Sequence, residues 1–410
     1  MLLRWFLCST YLVSFSQAGP QQFPISLETE VQNPNTFKDN ARDKGPEIFN
    51  AVHSAMRQWG SSLKHNGMSF LPVKVPAKTQ LYHGSRVKEP VTGMEWLAFE
   101  IEHAEMFARS RGRPPPGKGD RPGRPRGPGG PKDPDRGQPD GGPGLNPPPM
   151  EGDNKGYLHI YQTNRDLSKL LYIDGTSAGK TSMGTLDTTD IVLRNVTDST
   201  APWGDYQRAE DLCSLGLEWD VEGFIRMEAG FELILCNFTD GLDFVSAYQR
   251  PPYDQPEGYA GLYQFEYVRG VAQRYHGITA GRVQVDYSSM ASAYFYPLNL
   301  TNPDETKSDL PRLVSAESEG IQRLKTHVHH SLSQSRAHGH QTIDWQGVVD
   351  MIVTRYSDRL KLLASSTSSQ LEMLYEINFL LSIFIDYNST DIPSAKESCT
   401  THYLKSRKVI

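Results

Sequence analysis

Three stretches of this sequence combine polar groups that could do chemistry with apolar residues that would hold them in place. "LYHGS" at 81–85 ends an apolar run with His83 and Gly84, "GMEWLAFEIEHAEMFA" covers 93–108, and "GFELILCN" at 230–237 carries Glu232 near its start. A histidine–glycine pair at a strand end either opens a turn or forms one wall of a nucleotide pocket. The order of the three stretches, and the strand-like residues around each, make them informative as a set.

Together these stretches resemble the ADP-ribosyltransferase superfamily, specifically its His–Tyr–Glu branch. The first motif is matched by Tyr82, His83 and Gly84, the second by "WLAFEIEHAEMF", and the third by Glu232 before "LILCN". The resemblance covers roughly residues 80 to 238, without a proline-rich stretch between them. It implies a split, strongly bent β-sandwich and the use of NAD as a co-substrate.

The resemblance also implies a role for each matched residue. Cleaving the bond between nicotinamide and ribose develops positive charge on the ribose, as in glycoside chemistry. Glu232 would stabilise that charge, and His83 would hold a ribose hydroxyl. Gly84, which follows the motif residues Tyr82 and His83, would let the nicotinamide amide reach the backbone. We therefore expect Glu232 and His83 to be catalytic, and Tyr82, Gly84 and Trp96 to bind the cofactor.

Trp96 is the main departure from the family pattern, which has a tyrosine stacked on the nicotinamide ring. Tryptophan can stack, but it is bulkier and has no hydroxyl, so either the pose differs or the pocket is blocked. Phe99 takes this role if the register is shifted, and Glu228 is a second candidate for the carboxylate. Because a fold does not fix a function, a non-catalytic protein that keeps the fold remains the alternative.

The elements that must position these residues are readable from apolar periodicity. Strands are predicted in "FLPVKV", "TQLYHG", "EWLAFE", "YLHIYQTN" and "KLLYIDG". "EGFIRMEAGFELILCNF" reads as a hairpin joined by Ala229 and Gly230, and its second arm is apolar enough to be a buried central strand. Short helices are predicted around "EHAEMFARS" and "GDYQRAEDLCSLG".

Further helices are predicted from spacing and capping residues. Pro46 lies in the first turn of a helix over "GPEIFNAVHSAMRQWGSSL". Asp344 is a plausible N-cap, and Ser369 with Glu372 forms a capping-box pattern. In the helix "EGIQRLKTHVHHSLS", helical spacing puts four apolar residues on one face: Ile321, Leu324, Val328 and Leu332.

The predicted fold class is α+β, with a bent, split β-sandwich N-terminal domain and a mainly helical C-terminal region. We assign residues 1–18 to a signal peptide, 43–240 to the ADP-ribosyltransferase-like domain and 241–400 to the aromatic-rich and helical region. The segment 111–153 is almost entirely proline, glycine and charged residues, so it is predicted to be a disordered insertion.

The compartment is indicated by the N-terminus and by glycosylation acceptors. "MLLRWFLCSTYLVSFSQA" has a short apolar segment before small residues, as in a secretory signal peptide. N-glycosylation patterns behind it support export. The chain is therefore predicted to be a secreted, extracellular glycoprotein with these acceptors: Asn195, Asn237, Asn299 and Asn388.

The cysteines left after removal of the signal peptide are odd in number. Cys213 and Cys236 flank the predicted hairpin and could pair in an oxidising compartment. Cys399 would then be free, or it would be the partner of one of the other two. Since the chain is long enough to bury a core, disulfides are an addition to the fold and not its framework.

Composition excludes several other classes of protein. The formal net charge of -6 argues against a general nucleic-acid binder. The apolar run "INFLLSIFI" is too short to span a membrane. "GTSAGKTS" misses the spacing of a phosphate-binding loop by one residue.

We also predict no metal site. The histidines of "THVHHSLSQSRAHGH" read as a polar helix face that runs into a loop: His327, His329, His330, His338 and His340.

The predicted function is NAD cleavage by a secreted glycoprotein, either as mono-ADP-ribosyl transfer to an unknown protein acceptor or as NAD glycohydrolysis with water. The sequence looks like those of the secreted, mostly uncharacterised effectors of filamentous fungi. The alternative is a secreted interaction or effector protein that retains the fold, requires no cofactor, and binds an extracellular partner through its aromatic C-terminal region.

Overall fold

The fold is described by a computed structural model. It describes residues 40–58, 65–108, 155–180, 184–196, 204–250, 265, 267–271, 282–337, 339, 343–365 and 369–405. The predicted signal peptide at 1–18 and the predicted disordered insertion at 111–153 lie outside these residues.

An α+β architecture is present, with a large mixed β-sheet and a helical C-terminal region, as predicted. The ten strands of the sheet are arranged in the order β10-β1-β5-β6-β7-β3-β2-β4-β8, and β9 pairs with β1. Neighbouring strands are antiparallel except β5 and β6. The strands are β1 (Ser69–Val75), β2 (Gln80–Ser85), β3 (Glu95–Ala98), β4 (Gly156–Thr163), β5 (Leu167–Ile173), β6 (Gly223–Met227), β7 (Phe231–Leu235), β8 (Leu242–Arg250), β9 (Gln284–Val285) and β10 (Ala291–Ser292).

Helices precede the sheet, cover it and extend beyond it. The α-helices are α1 (Gly45–Ser54), α2 (Ile101–Glu105), α3 (Asp205–Trp219), α4 (Ser318–Ala337), α5 (Trp345–Ala364), α6 (Gln370–Leu381) and α7 (Ile392–Lys405). A π-helix covers Thr188–Leu193, and short 3-10 helices cover Tyr287–Ser289, Ala293–Phe295, Glu305–Lys307 and Ser382–Phe384. In the part of the chain that is described, no helix combines the length and apolar character needed to cross a membrane.

The predicted hairpin is confirmed and forms the centre of the sheet. β6 and β7 pair antiparallel from Gly223 and Leu235 to Met227 and Phe231, and every residue of both strands is buried. The backbone of Gly223 packs beneath Ile234, and an added Cβ would lie 2.6 Å from the Ile234 carbonyl oxygen. A buried strand needs apolar residues on both faces, which is why β7 reads as a continuous apolar run.

The two faces of the sheet carry separate hydrophobic clusters. Side chains alternate between faces along a strand, so Leu233 and Leu97 join a cluster with α1 residues, whereas Ile234 and Phe224 join a cluster with α3 and α4 residues. We call these the α1 face and the α3 face. The position of a residue within its strand therefore decides which surroundings it meets.

The three motif stretches become neighbouring strands. β2, which contains the first motif, pairs with β3 through Tyr82 and Ala98, and β3 pairs with β7 through Ala98 and Glu232. Tyr82, Ala98 and Glu232 thus lie in one row across the sheet, although the sequence separates the first and last by 150 positions.

The predicted division after residue 240 does not coincide with a break in the sheet. β8, β9 and β10 all follow that residue, yet they extend both ends of the sheet and pair with β4 and β1. The later helices also contact the first one, because Gln346 Nε2 at the start of α5 donates to the Val52 and Ala55 carbonyls. The sheet is therefore built from strands on both sides of the predicted boundary.

Most of the C-terminal helix predictions are confirmed in detail. The Asp344 side chain accepts a hydrogen bond from Gly347 N at the start of α5. Ser369 and Glu372 form the predicted capping box of α6.

The histidine prediction for α4 is wrong at His327, which is buried and bonded to the Tyr296 hydroxyl at 3.0 Å. His338 and His340 lie outside the described residues. The predicted apolar positions of α4 are all buried: Ile321, Leu324, Val328 and Leu332.

A disulfide joins Cys213 of α3 to Cys236 after β7, as predicted. Cys399 is buried, and no cysteine of the described chain is a free thiol, so the alternative with a free Cys399 is wrong. The bond fixes α3 against the end of the central strand, where α3 contributes Ala209 and Leu212 to the cluster on the α3 face.

Removing this disulfide is expected to destabilise the fold. The bond closes a loop with a sequence separation of 23 residues, and loops of this length contribute about 3 kcal/mol through the entropy of the unfolded chain. The double variant Cys213→Ala, Cys236→Ala should lose this amount of unfolding free energy in chemical denaturation. An unchanged unfolding free energy would contradict this account.

Candidate functional site

Glu232 lies in a buried ion pair with Arg226 on the neighbouring strand. The two residues are directly opposite each other in the β6–β7 hairpin. Arg226 Nε donates to Glu232 Oε1 at 2.6 Å, and the exposed fractions are only 1% for Arg226 and 7% for Glu232. A pair taken so far out of water is stable only when both charges are present. The Nη1 atom of Arg226 is buried and has no hydrogen-bond partner among the described residues.

His103 and Glu228 gather around Glu232 on the α3 face. His103 is on α2, Glu228 is at the hairpin turn, and one donor atom from each of the three lies within 4.8 Å of the others. Gly230 makes this approach possible, because a Cβ at that position would lie 2.8 Å from the Cβ of His103. Within the turn, Glu228 N donates to the Gly230 carbonyl.

The His103 imidazole is fully enclosed and held from its other side. Its Nδ1 lies 3.1 Å from the Tyr267 hydroxyl, and the two rings stack with centroids 6.4 Å apart. Burial lowers the pKa of His103 below its ordinary value, while the carboxylates of Glu232 and Glu228 oppose that shift. The ring is therefore neutral near pH 7, with one nitrogen able to accept a proton or bind an ion.

A lysine from the "GTSAGKTS" loop completes the cluster. Lys180 Nζ lies 2.9 Å from Glu228 Oε1 and 3.0 Å from Asp205 Oδ2 at the start of α3. Gly175 in this loop has a φ of 66° and packs against Gly67, where an added Cβ would lie 2.3 Å from the backbone nitrogen. The predicted turn-rich loop thus supplies a positive charge to the cluster.

His83 does not meet Glu232, so the predicted pairing of these two catalytic residues is wrong. His83 follows Tyr82 by one residue, and alternation along β2 directs its side chain to the α1 face. Its Nδ1 donates to the Trp96 carbonyl at 2.7 Å, and its ring contacts the rings of His159 and Phe238. Burial lowers the pKa of His83, and the hydrogen bond to Trp96 opposes that shift.

Gly84 is needed for packing, and its contact with a ligand amide stays a prediction. An added Cβ would lie 2.4 Å from the Ala104 carbonyl oxygen and 2.5 Å from Ala108 N, because the end of α2 rests on this residue. Tyr82 is on the α3 face with Glu232 and packs against Ala98 and Ala104. Of the β2 motif, Tyr82 is therefore the residue that shares a face with the carboxylate.

Trp96 also lies on the α3 face, two residues along β3 from Ala98. It pairs with Ile234 and makes an edge contact with the Tyr206 ring at 5.2 Å. The alternative Phe99 is 1% exposed and belongs to the cluster on the α1 face, so it cannot stack on a ligand beside Glu232. The alternative carboxylate Glu228 does join the cluster.

The sequence analysis missed His103, Lys180 and Tyr267. His103 is on a helix, Lys180 is in a loop, and Tyr267 is in the stretch 267–271. No pattern in the sequence around any of them indicates that they meet. Arg226 had a signal that was visible in advance. A charged residue inside the buried strand "GFIRM" requires a partner, since arginine is rarely buried unless it is paired.

The four predicted glycan acceptors all lie in exposed positions. Asn195 has a left-handed backbone φ of 57°, which asparagine tolerates well. The acceptor side chains at Asn237 and Asn299 bond to the backbone two residues later. An oligosaccharide at any of the four positions would meet solvent and not the core: Asn195, Asn237, Asn299 and Asn388.

Comparisons with known proteins give relatives but no activity. Residues 31–255 match the family described as the YPL277C N-terminal domain. The chain is 34% identical over 287 residues to the uncharacterised protein YOR389W of Saccharomyces cerevisiae, covering 63% of this chain and 42% of that protein. It is 35% identical over 247 residues to the uncharacterised YPL277C of the same yeast, covering 54% and 45%. The chain thus spans less than half of either relative, and no solved structure matches it.

Glu100, which accepts a hydrogen bond from the backbone of Phe231 next to Glu232, is expected to make stability depend on pH. Burial raises its pKa from 4.5 to about 7, although Gln58 and Phe231 N donate hydrogen bonds to it. A carboxyl group with a raised folded-state pKa is protonated in the folded protein while the unfolded chain is already ionised. Stability therefore falls as pH rises from about 4.5 to about 7.

Replacing this carboxyl group tests the assignment. Glu100→Gln should remove on the order of 3 kcal/mol of that pH dependence and raise the unfolding free energy above pH 7. Denaturation curves at several pH values measure both effects. Asp174, whose pKa burial also raises to about 7, should leave a residual slope in the variant. A variant with the full wild-type slope would show that Glu100 is ionised in the folded protein.

Proposed function

This chain belongs to the YPL277C N-terminal domain family, and we propose that it is a secreted glycoprotein that cleaves NAD at the cluster around Glu232. The site takes the ADP-ribosyltransferase-like chemistry expected from the sequence, with a different imidazole. His103, and not His83, lies beside the carboxylate. The acceptor is either water or a nucleophilic side chain of a protein.

One observation carries this proposal: the sheet makes neighbours of the three motif strands and puts Tyr82, Ala98 and Glu232 in a single row. A chance resemblance of three short stretches would not require that they adjoin. The same row continues to Arg226, which orients the Glu232 carboxylate by a short hydrogen bond.

Cleavage of NAD requires the cluster to stabilise a short-lived positive charge. The bond between ribose C1′ and the nicotinamide nitrogen breaks, its electron pair stays on nicotinamide, and the ribose becomes a cation. A fixed carboxylate in a poorly hydrated site stabilises such a cation far more than water does. Glu232 is fixed in this way and is shielded from solvent.

The acceptor must lose a proton as it bonds to C1′. Glu228 is the suitable base, because its side chain is 38% exposed and can pass the proton to solvent. Lys180 holds one of its oxygens at 2.9 Å, so the other oxygen remains for the acceptor. Arg226 Nη1, which lacks a partner among the described residues, can donate to an oxygen of the bound nucleotide.

A second candidate function is binding without catalysis, and the exposed apolar residues favour it. The edge strand β8 exposes Val245 and Tyr248, and the helix α6 exposes Tyr375 and Phe379. Exposed apolar residues mark interaction sites in soluble proteins when they form a contiguous patch. Under this alternative, the Arg226–Glu232 pair would serve the structure alone.

Nicotinamide release from NAD distinguishes the two functions. We expect the wild-type protein to release nicotinamide and Glu232→Gln to lower the rate roughly a hundredfold or more, since one fixed group that stabilises transition-state charge is lost. Glu218→Gln is the matched control, because Glu218 is exposed on α3 outside the cluster. His83→Gln should leave turnover of the folded protein unchanged.

Two results would count against catalysis at this cluster. Wild-type protein that releases no nicotinamide, with or without candidate acceptor proteins, would favour the binding function. Loss of turnover in folded His83→Gln, with Glu232→Gln unaffected, would place the chemistry on the α1 face. Near-ultraviolet circular dichroism of each variant shows whether its tertiary packing is intact.

The glycoprotein assignment has its own test. Protein secreted from a eukaryotic host should decrease in mass in four steps under limited treatment with a peptide N-glycosidase. Single Asn→Gln variants at the four exposed acceptors should each remove one step. Secreted protein whose mass does not change on treatment would contradict the assignment.

A further inference from the structure

Each of the three clustered side chains has one atom held by a partner outside the group. His103 Nδ1 contacts the Tyr267 hydroxyl, Glu228 Oε1 accepts from Lys180, and Glu232 Oε1 accepts from Arg226. An imidazole has two nitrogens and a carboxylate has two oxygens, so each side chain keeps a second donor atom. Ligands of a metal ion are oriented by such outer partners.

The three side chains are close enough to share an ion. One donor atom from each residue lies within 4.8 Å of the others. Small side-chain movements would shorten these separations until all three atoms lie at about 2.0 to 2.2 Å from one ion. We propose that His103, Glu228 and Glu232 bind a divalent transition-metal ion, of which Zn²⁺ is the best match.

The donor set selects among metals. One imidazole and two carboxylates suit zinc and manganese, whereas calcium and magnesium prefer oxygen ligands alone.

A buried N–H group of Arg226 that lacks a partner gives an independent reason to expect a ligand here. Arg226 is 1% exposed, its guanidinium touches Glu232, and its Nη1 has no partner among the described residues. A buried N–H without a partner is costly. Three protein ligands leave a further position on zinc for water or another oxygen, which would give the buried Arg226 Nη1 an acceptor.

Charge is compatible with the ion. The cluster contains three carboxylates, Asp205, Glu228 and Glu232, and two cations, Lys180 and Arg226. Three negative charges less two positive charges leave one negative charge in excess. A divalent ion with a bound hydroxide adds one positive charge and makes the cluster neutral.

Calorimetric titration of the full-length protein, freed of metal by a chelator, tests the site. The probes are Zn²⁺, Mn²⁺ and Mg²⁺, each alone and without NAD, so the result does not depend on the proposed NAD cleavage. We expect one Zn²⁺ per chain, weaker Mn²⁺ binding and the weakest binding for Mg²⁺. Absence of Zn²⁺ binding to the wild-type protein would overturn the proposal.

Variants locate the ion. Glu228→Gln, at a partly exposed position, should weaken Zn²⁺ binding by more than about tenfold, the loss that follows when even an outer partner of a ligand is removed. His103→Gln should abolish binding. His329→Gln is the matched histidine control, because that ring is exposed and stacks on Trp219 outside the cluster.

Two further outcomes decide against the assigned residues. Wild-type affinity in folded Glu228→Gln would overturn the site, even if His103→Gln fails to fold. Equal loss of affinity in His329→Gln would move the ion to the histidines of α4. With Co²⁺ in place of Zn²⁺, the visible absorption bands should change in Glu228→Gln and stay unchanged in His329→Gln.

Discussion

The buried pair of Arg226 and Glu232 is the constraint on which the site depends. Moving either charge out of water costs several kcal/mol, and only the partner directly across the hairpin offsets that cost. A shift of one residue in the β6–β7 register would leave both charges buried and alone. The pair therefore fixes the hairpin, its turn at Glu228, and the strand β3 that lies against β7. His103 can approach this turn because Gly230 has no side chain.

The face of the sheet on which a residue lies determines which side chains it contacts more than its position along the chain does. Tyr82 and His83 are adjacent, yet alternation puts the first beside the Glu232 carboxylate and the second against His159. In β2, Leu81 and Tyr82 are both apolar, so the strand lacks the alternation of apolar and polar residues that would assign its faces. The sequence identifies the strand and its neighbours, but it cannot say which of two successive polar groups meets the acid.

Predictions from local signals succeed in this chain more often than predictions that depend on distant pairing. The capping box at Ser369 and the N-cap at Asp344 need only residues within one turn, and both are present. The two-residue strand β9 exists because Val285 pairs with Val73, more than two hundred residues away. No local pattern marks such a strand, which is why a boundary after residue 240 looked reasonable. The cluster around Glu232 likewise depends on the pairing of distant segments. Arg226 is the exception, because its burial in an apolar strand implies a nearby acid.

The proposed NAD cleavage and the proposed ion binding would make the same physical demand on this cluster, since both would need its excess negative charge to favour a cation in a poorly hydrated place. They differ in how long the cation stays. A ribosyl cation exists only during bond cleavage and would be stabilised by the field of the cluster's net negative charge. A metal ion held by Glu228 and Glu232 would cancel that field and occupy the oxygen that faces the ribose. The two uses therefore exclude each other within one molecule at one time, and metal occupancy would set the fraction of chains able to cleave NAD.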